Sequence, residues 1–246
     1  SWPPSLSVLG TASVHVWSAT LDIGAIAVQA FEQTLAPDER ERALRFHFAR
    51  DRDRFIAGRG LLRAMLGSYL DVRPADIRFD YNPQGKPALG GKWGQSDLCF
   101  NLAHSNGQAL CAVTRARRVG IDLERLDVGL AEAGIAERFF APGEIRALHK
   151  LPAEAWVGGF FACWTRKEAY VKARGEGLTL PLRRFEVSVL PGERSITLQS
   201  DDDPRLSADW SITELSSGPH YAAALAVEGR ADWRLECWQW PVPRLV

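Results

Sequence analysis

Two segments decide the fold of this chain: Val119-Gly120-Ile121-Asp122-Leu123-Glu124 and Trp164-Thr165-Arg166-Lys167-Glu168-Ala169-Tyr170-Val171-Lys172. The first alternates apolar and non-apolar residues, which predicts a half-buried strand with Asp122 and Glu124 on one face. The second predicts a helix, in which Trp164, Glu168 and Lys172 share a face because they are four residues apart. Glu168 therefore lies on the apolar stripe of its helix rather than opposite it.

An inward-facing carboxylate needs compensation, because an unpaired buried charge is costly. A divalent cation shared by Asp122, Glu124 and Glu168 would supply it, and hard oxygen ligands suit Mg²⁺ holding a phosphorylated substrate. Two simpler interpretations remain open from spacing alone. The strand acids are solvated surface charges, or Glu168 and Lys172 form a helical salt bridge worth ~0.3–0.5 kcal/mol.

Length and composition set the class of protein. The 246 residues suit one large domain or two small ones, and 46% hydrophobic residues with nine Trp are ample for a core. Thirty basic and thirty acidic residues give no net charge, so we expect neither nucleic acid nor a membrane as a partner. The four cysteines lack paired zinc-site spacing, and neither a secretory signal nor an apolar run of ~20 residues is found, which predicts a cytoplasmic protein.

The order of elements predicts an α+β fold with two similar halves related by a pseudo-twofold. Strands are predicted over 13–19, 77–80, 98–103, 109–114, 119–124, 185–190, 195–198, 210–215, 221–227 and 234–240. Helices are predicted over 30–35, 51–70, 130–139 and 153–174 and from Pro37 and Pro142. Each half would pack an antiparallel sheet on helices, with the halves spanning 1–118 and 119–246 and the acidic pair at their seam.

Five motifs in order resemble one family. They are Gly85-Lys86-Pro87, Phe100-Asn101-Leu102-Ala103-His104-Ser105, the strand with Asp122, Phe140 to Glu144, and Trp164 to Ala173. Together they resemble the 4′-phosphopantetheinyl transferases of the surfactin-synthetase-activating (Sfp) type, over roughly residues 36 to 186. The resemblance implies transfer of the 4′-phosphopantetheine arm of coenzyme A to a serine of an apo carrier protein, with release of adenosine 3′,5′-bisphosphate.

The resemblance also implies the site. Asp122, Glu124 and Glu168 would hold Mg²⁺, or Mn²⁺ in its place, and Lys172 would bind the pyrophosphate, so Asp122, Glu168 and Lys172 are the expected catalytic residues. The expected contacts with the nucleotide end of coenzyme A, including its 3′-phosphate, are Arg42, Lys86 and His104. Asn101 and Lys167 are expected to contact coenzyme A beside them. Either Glu168 or a metal-activated water would take the serine proton. Three positions depart from the family pattern, with apolar residues where hydroxyl or small polar groups are common: Ala36, Phe55 and Ala103.

Several properties follow only as expectations. The carrier could belong to fatty-acid, polyketide or nonribosomal-peptide synthesis and would dock on residues 129–139. A chain that supplies both halves of its site would act as a monomer. The alternatives are a non-catalytic module that binds coenzyme A or carriers, and a Mg²⁺-dependent phosphoesterase that cleaves the coenzyme A pyrophosphate with water.

Overall fold

A computed structural model describes residues 9–132, 134–193, 196–200, 203 and 205–241. The strands are β1 Ser13–Thr20, β2 Phe79–Tyr81, β3 Pro87–Leu89, β4 Leu98–Ser105, β5 Gln108–Arg115, β6 Val119–Arg125, β7 Glu186–Val187, β8 Leu198–Gln199, β9 Trp210–Glu214, β10 Tyr221–Glu228 and β11 Arg234–Gln239. The α-helices are α1 Ala25–Glu32, α2 Pro37–Leu44, α3 Ala49–Leu70, α4 Val128–Glu132, α5 Ile135–Phe139, α6 Pro142–Leu148, α7 Trp156–Arg174 and α8 Leu206–Asp209. Sheets packed on helices confirm the predicted α+β class.

Two main sheets form the framework. Their strand orders are β11-β1-β5-β4 and β6-β10-β9, and the pairs β2-β3 and β7-β8 form two small sheets. All pairings are antiparallel except that of β11, which runs parallel to β1. The ring of Trp238 on β11 stacks on Trp17 of β1 with centres 4.9 Å apart. The last strand therefore lies in the sheet of the first half, although the predicted division at 118/119 assigns its residues to the second half.

Among the described residues, the three larger apolar clusters pack these layers together. One lies around α3 and includes Trp17, Leu62 and Met65. The second lies around α7 and is rich in aromatic residues: Phe140, Phe160, Phe161, Tyr170 and Phe185. The third joins the two main sheets and takes side chains from β1, β5, β6 and β10: Val14, Val16, Ala112, Val119, Ile121 and Leu225. Because β6 is buried on both faces, it is the central strand of the seam.

Gly120 allows β6 to lie directly on α7. A Cβ atom at this position would stand 2.1 Å from the carbonyl oxygen of Ala169 and 2.3 Å from the nitrogen of Ala173, distances that no side chain tolerates. The strand and the helix therefore approach backbone to backbone. This contact brings Asp122, two residues further along β6, beside the face of α7 that carries Glu168 and Lys172.

Some predicted elements differ in extent. The helix predicted over 130–139 is divided into α4 and α5, and the strands predicted over 185–190 and 195–198 shorten to β7 and β8, with residue 195 outside the described residues. On α3, Arg63 is buried and pairs with the buried Glu39 at 2.6 Å. Within the described ranges, no helix combines the length and apolar character needed to cross a membrane.

Candidate active site

Asp122 is the buried centre of the candidate site. Its side chain is 3% exposed, and its Oδ1 accepts a 2.5 Å hydrogen bond from the Lys172 ammonium. Its other oxygen, Oδ2, is also buried and has no hydrogen-bond partner among the described residues. Asp122 is therefore not a solvated surface acid, and it retains one free acceptor where an unpaired polar atom is costly.

Glu124 and Glu168 complete the acidic group. Ser105 Oγ donates to Glu124 Oε2 at 3.1 Å. Burial raises the pKa of Glu124, and the negative charge of Asp122 raises it further. Burial and Asp122 also raise the pKa of Glu168, against the opposing effect of Lys172. The three carboxylates are thus close enough to disfavour one another's ionisation. Lys172 forms an ion pair with Asp122, so its role is not limited to a salt bridge with Glu168 along the helix.

The carboxylates are not arranged as a preformed metal cage. In the part of the chain that the structure describes, no three His, Cys, Asp or Glu side chains are gathered closely enough to hold a metal ion. Their chemistry nevertheless fits a hard divalent cation. Asp122 offers an unpaired buried oxygen, and a cation would offset the repulsion between Asp122 and the acidic side chains beside it. As the structure stands, the Lys172 ammonium is the counter-ion of Asp122.

Asn101 and Lys86 connect the two halves beside this group. Asn101 is buried on β4, and its Oδ1 accepts a 2.8 Å hydrogen bond from the backbone nitrogen of Ile121 on β6. The Lys86 ammonium donates to the carbonyl oxygens of Lys172 at 2.5 Å and Val119 at 3.2 Å. Burial lowers the pKa of Lys86 to about 8. Both residues therefore contact the backbone of the elements that carry the carboxylates.

Arg42 and His104 lie on the first half, near Lys172. Although much of His104 is exposed, desolvation lowers its pKa, and the cations Lys172 and Arg42 lower it further. The Arg42 guanidinium carbon lies 5.4 Å from the centre of the Phe55 ring, which in turn packs on Phe46 at 5.2 Å. Phe55, one of the departures from the family pattern, therefore supports Arg42 by a cation–π contact.

The side chain of Lys167, an expected coenzyme A contact, lies apart from this group. Its side chain is fully buried, and its ammonium contacts the carbonyl oxygens of Leu182 at 2.7 Å and Phe185 at 2.6 Å and the carboxylate of Glu144 at 2.7 Å. These three acceptors use all three N–H donors. The reason is helical geometry, since Lys167 is one residue before Glu168 and projects from a different face of α7.

A cavity of about 260 Å³ opens beside the acidic group. Its lining comes from the loop before β3 and the first residue of β3, from β4, from α7 and from two glycines that follow α7: Gln84, Gly85, Lys86, Pro87, Asn101, Leu102, Glu168, Val171, Lys172, Gly175 and Gly177. Glu168 and Lys172 therefore face a space that both halves of the chain enclose. A phosphorylated ligand in this cavity would meet a carboxylate and an ammonium together.

Comparison with known proteins identifies the family. A family model described as the 4′-phosphopantetheinyl transferase superfamily matches residues 118–226, and one described as the N-terminal part of 4′-phosphopantetheinyl transferase matches residues 22–115. The chain is 42% identical over 238 residues to the 4′-phosphopantetheinyl transferase HetI of Nostoc, covering 97% of this chain and 96% of the relative. The chain belongs to the 4′-phosphopantetheinyl transferase family.

This transferase also resembles members of the family with lower sequence identity. It is 31% identical to the 4′-phosphopantetheinyl transferase Sfp of Bacillus subtilis over 177 residues, or 72% of this chain and 76% of the relative. A solved complex of the Chronobacterium ammoniagenes ACPS with CoA aligns with 47% of this chain and 98% of that chain, at 23% identity and a TM-score of 0.35. The family and the enzyme type predicted from the motifs are confirmed.

Two residues of the candidate site were not predicted. Ser105 orients Glu124 and accepts a 3.1 Å hydrogen bond from the backbone nitrogen of Arg125. In the sequence, the position of Ser105 at the end of β4, just before the Asn106-Gly107 turn, is the feature that could have indicated this role. Asn82 donates from Nδ2 to the carbonyl oxygen of Gly175 at 2.7 Å, and its Asn-Pro sequence indicated only a turn.

Proposed function

We propose that this transferase moves the 4′-phosphopantetheine arm of coenzyme A to a serine hydroxyl of an apo carrier protein and releases adenosine 3′,5′-bisphosphate. The supporting observation is the buried Asp122, whose Oδ2 is without a partner among the described residues, beside Glu168 and Lys172 at a cavity. Such a site suits a reaction in which positioning and charge stabilisation provide most of the rate.

The metal is part of this proposal. Asp122, Glu124 and Glu168 would hold Mg²⁺, or Mn²⁺ in its place. When bound, the ion would neutralise charge on the pyrophosphate and on the leaving bisphosphate. Its support is the unpaired Asp122 oxygen, together with the burial and the negative charge of Asp122 that raise the pKa values of Glu124 and Glu168.

The side chains of the site would divide the remaining work. Lys172 would exchange its contact with Asp122 for one with the pyrophosphate, adding positive charge where negative charge develops. Glu168 is our candidate for the base that takes the serine proton, because burial and Asp122 raise its pKa toward the range in which a carboxylate accepts protons well. Arg42 and His104 would bind the nucleotide end, and Asn101 would fix the strand beside it.

A mass measurement tests the function. The protein is incubated with an apo carrier protein, coenzyme A and Mg²⁺, and we expect the carrier to gain one phosphopantetheine mass. A binding module would leave the carrier mass unchanged, whereas a phosphoesterase would release free phosphopantetheine even without carrier. Asp122→Asn should abolish transfer while the circular dichroism spectrum stays unchanged, and full activity in that variant would refute the assigned site.

The carrier and its docking surface are a further part of the proposal. The expected docking surface is residues 129–139, of which residue 133 lies outside the described residues, and the overlapping helix α4 exposes Val128 by 57% and Leu130 by 44%. Apolar residues exposed to that extent suit a protein partner. Repeating the mass measurement over a panel of apo carriers from fatty-acid, polyketide and peptide synthesis identifies the preferred class. A cavity lined by both halves of one chain supports a monomeric enzyme.

A further inference from the structure

The loop between β2 and β3 is attached to the end of α7 at several points. Asn82 Nδ2 donates to the carbonyl oxygen of Gly175, the residue that follows the helix in a left-handed conformation with φ of 73°. Asn82 Oδ1 accepts from the backbone nitrogens of Gln84 at 3.1 Å and Lys86 at 2.8 Å, which fixes the loop itself. One asparagine thus orders the loop and attaches it to the helix.

Lys86 makes the second attachment. Its ammonium contacts three carbonyl oxygens, those of Lys172 at 2.5 Å, Val119 at 3.2 Å and Ala173 at 3.5 Å. Two of these belong to the last turn of α7, where carbonyl groups lack helical partners and the helix dipole attracts a cation. The third belongs to the first residue of β6. One ammonium therefore joins the helix to the strand.

The position of this joint connects it to the chemistry. The carbonyl of Lys172 is held by Lys86, while the side chain of Lys172 reaches Asp122. Glu168 lies one helical turn earlier on the same face. The loop of the first half therefore fixes the helix end that carries both Glu168 and Lys172 against the strand that carries Asp122.

We propose that Lys86 and Asn82 are positioning residues, which set the places of Glu168 and Lys172 through the backbone of α7, and that Lys86 is not primarily a ligand of the nucleotide. The inference rests on the proposed transfer reaction. Its physical basis is that the three carbonyl acceptors use the three N–H donors of the Lys86 ammonium, whereas a phosphate ligand would require at least one of them.

Steady-state kinetics of two variants test this inference. Lys86→Met removes the ammonium, and Asn82→Asp keeps the oxygen that accepts from Gln84 and Lys86 but removes the donor to Gly175. We expect both to lower kcat by about ten- to hundredfold, because misplacement of catalytic groups by about 1 Å has effects of that size. The KM for coenzyme A should change less than about threefold, well below the effect on kcat.

Hydrogen exchange gives a readout that does not depend on turnover. In both variants, amides of residues 168–176 should exchange faster than in the wild type, while those of α3 should be unchanged. Lys92→Met is the matched control, because Lys92 is an exposed lysine whose ammonium lies over the Trp93 ring at 4.8 Å. It should alter neither kcat nor exchange at the end of α7.

A ligand role for Lys86 predicts the opposite pattern. Lys86→Met would then raise the KM for coenzyme A, more than for 3′-dephospho-coenzyme A, and Asn82→Asp would behave as the wild type. That outcome, or unchanged exchange over 168–176, overturns the inference. A wild-type protein that does not modify carriers would instead refute the proposed function, so the two failures are distinguishable.

Discussion

Glu168 carries a charge that the folded protein disfavours. Its pKa is raised by burial and by Asp122, so the folded state favours the protonated form. The corresponding stabilisation is fully present below the pKa of the unfolded chain, about 4.3, and is lost as the pH rises through the higher folded value. Near neutral pH, the ionised carboxylate therefore destabilises the metal-free protein.

Substitution of Glu168 by Gln should stabilise the metal-free protein. The amide keeps the shape without the charge, so we expect a gain on the order of 1 kcal/mol near neutral pH, or about 2–4 °C in Tm for a chain of this size. Thermal melts from about pH 4 to pH 8 measure it, and the difference should disappear at the acidic end. Glu137→Gln, an exposed change on α5, should alter stability by less than about 0.5 kcal/mol. An equal gain at every pH would contradict the explanation.

Magnesium should reverse this penalty. A ligand that binds only the folded state raises its stability in proportion to RT ln(1 + [L]/Kd), so Mg²⁺ should increase the Tm of the wild type. Because Glu124 and Glu168 have raised pKa values, protonation competes with the metal, and the increase should shrink as the pH falls toward about 5. Differential scanning fluorimetry measures both effects. An Asp122→Asn protein that still responds to Mg²⁺ would argue against these ligands.

For single residues, the sequence predicts the direction of a side chain but not its contacts with distant parts of the chain. Alternation and four-residue spacing placed Asp122 and Glu168 correctly, because those side-chain directions follow from strand and helix geometry. The expected role of Lys167 as a coenzyme A contact came only from the family motif. In the structure its ammonium contacts the carbonyl groups of Leu182 and Phe185, more than a dozen residues later in the chain. A local pattern contains no information about such contacts.

At the scale of elements, the contact of β6 with α7 determines the geometry of the site. Sequence alone predicted both elements, but it did not predict how closely they approach. That distance depends on the missing side chain of Gly120 and on the carbonyl of Ala169 that occupies its place. The sequence shows a glycine among apolar residues, and only the partner helix explains it.

Gly120→Ala should therefore separate strand from helix. The new methyl group would overlap backbone atoms of α7, which have no rotamer by which to avoid it, so we expect a loss of about 1–3 kcal/mol or more. Urea unfolding measures the loss, and transfer activity should fall with it because Asp122 moves away from Lys172. Gly24→Ala is the control, since a Cβ atom there meets nothing within 4 Å. Similar stability of the two variants would refute this packing argument.

At the scale of the whole molecule, the two halves share a strand. Equal element order in both halves predicted an antiparallel sheet in each half, and the structure adds that β11 pairs in parallel with β1 from Ser13 to Ser18. The reason is aromatic burial, since Trp238 stacks on Trp17 and lies edge-on to His15 at 4.7 Å. Pairing between distant ends of a chain depends on tertiary packing, which periodicity does not record.

The pairing of β11 with β1 predicts that the two halves unfold together. Trp238→Ala removes the ring that holds β11 on β1, and we expect a loss of about 3 kcal/mol, or about 6–12 °C in Tm. Because β11 is continuous with the second half, tryptophan fluorescence and far-ultraviolet circular dichroism should still report one coincident transition. Cys237→Ala changes an exposed residue of the same strand and should leave the Tm within about 2 °C. Two separate transitions, with only the first shifted by Trp238→Ala, would show that the shared strand does not couple the halves.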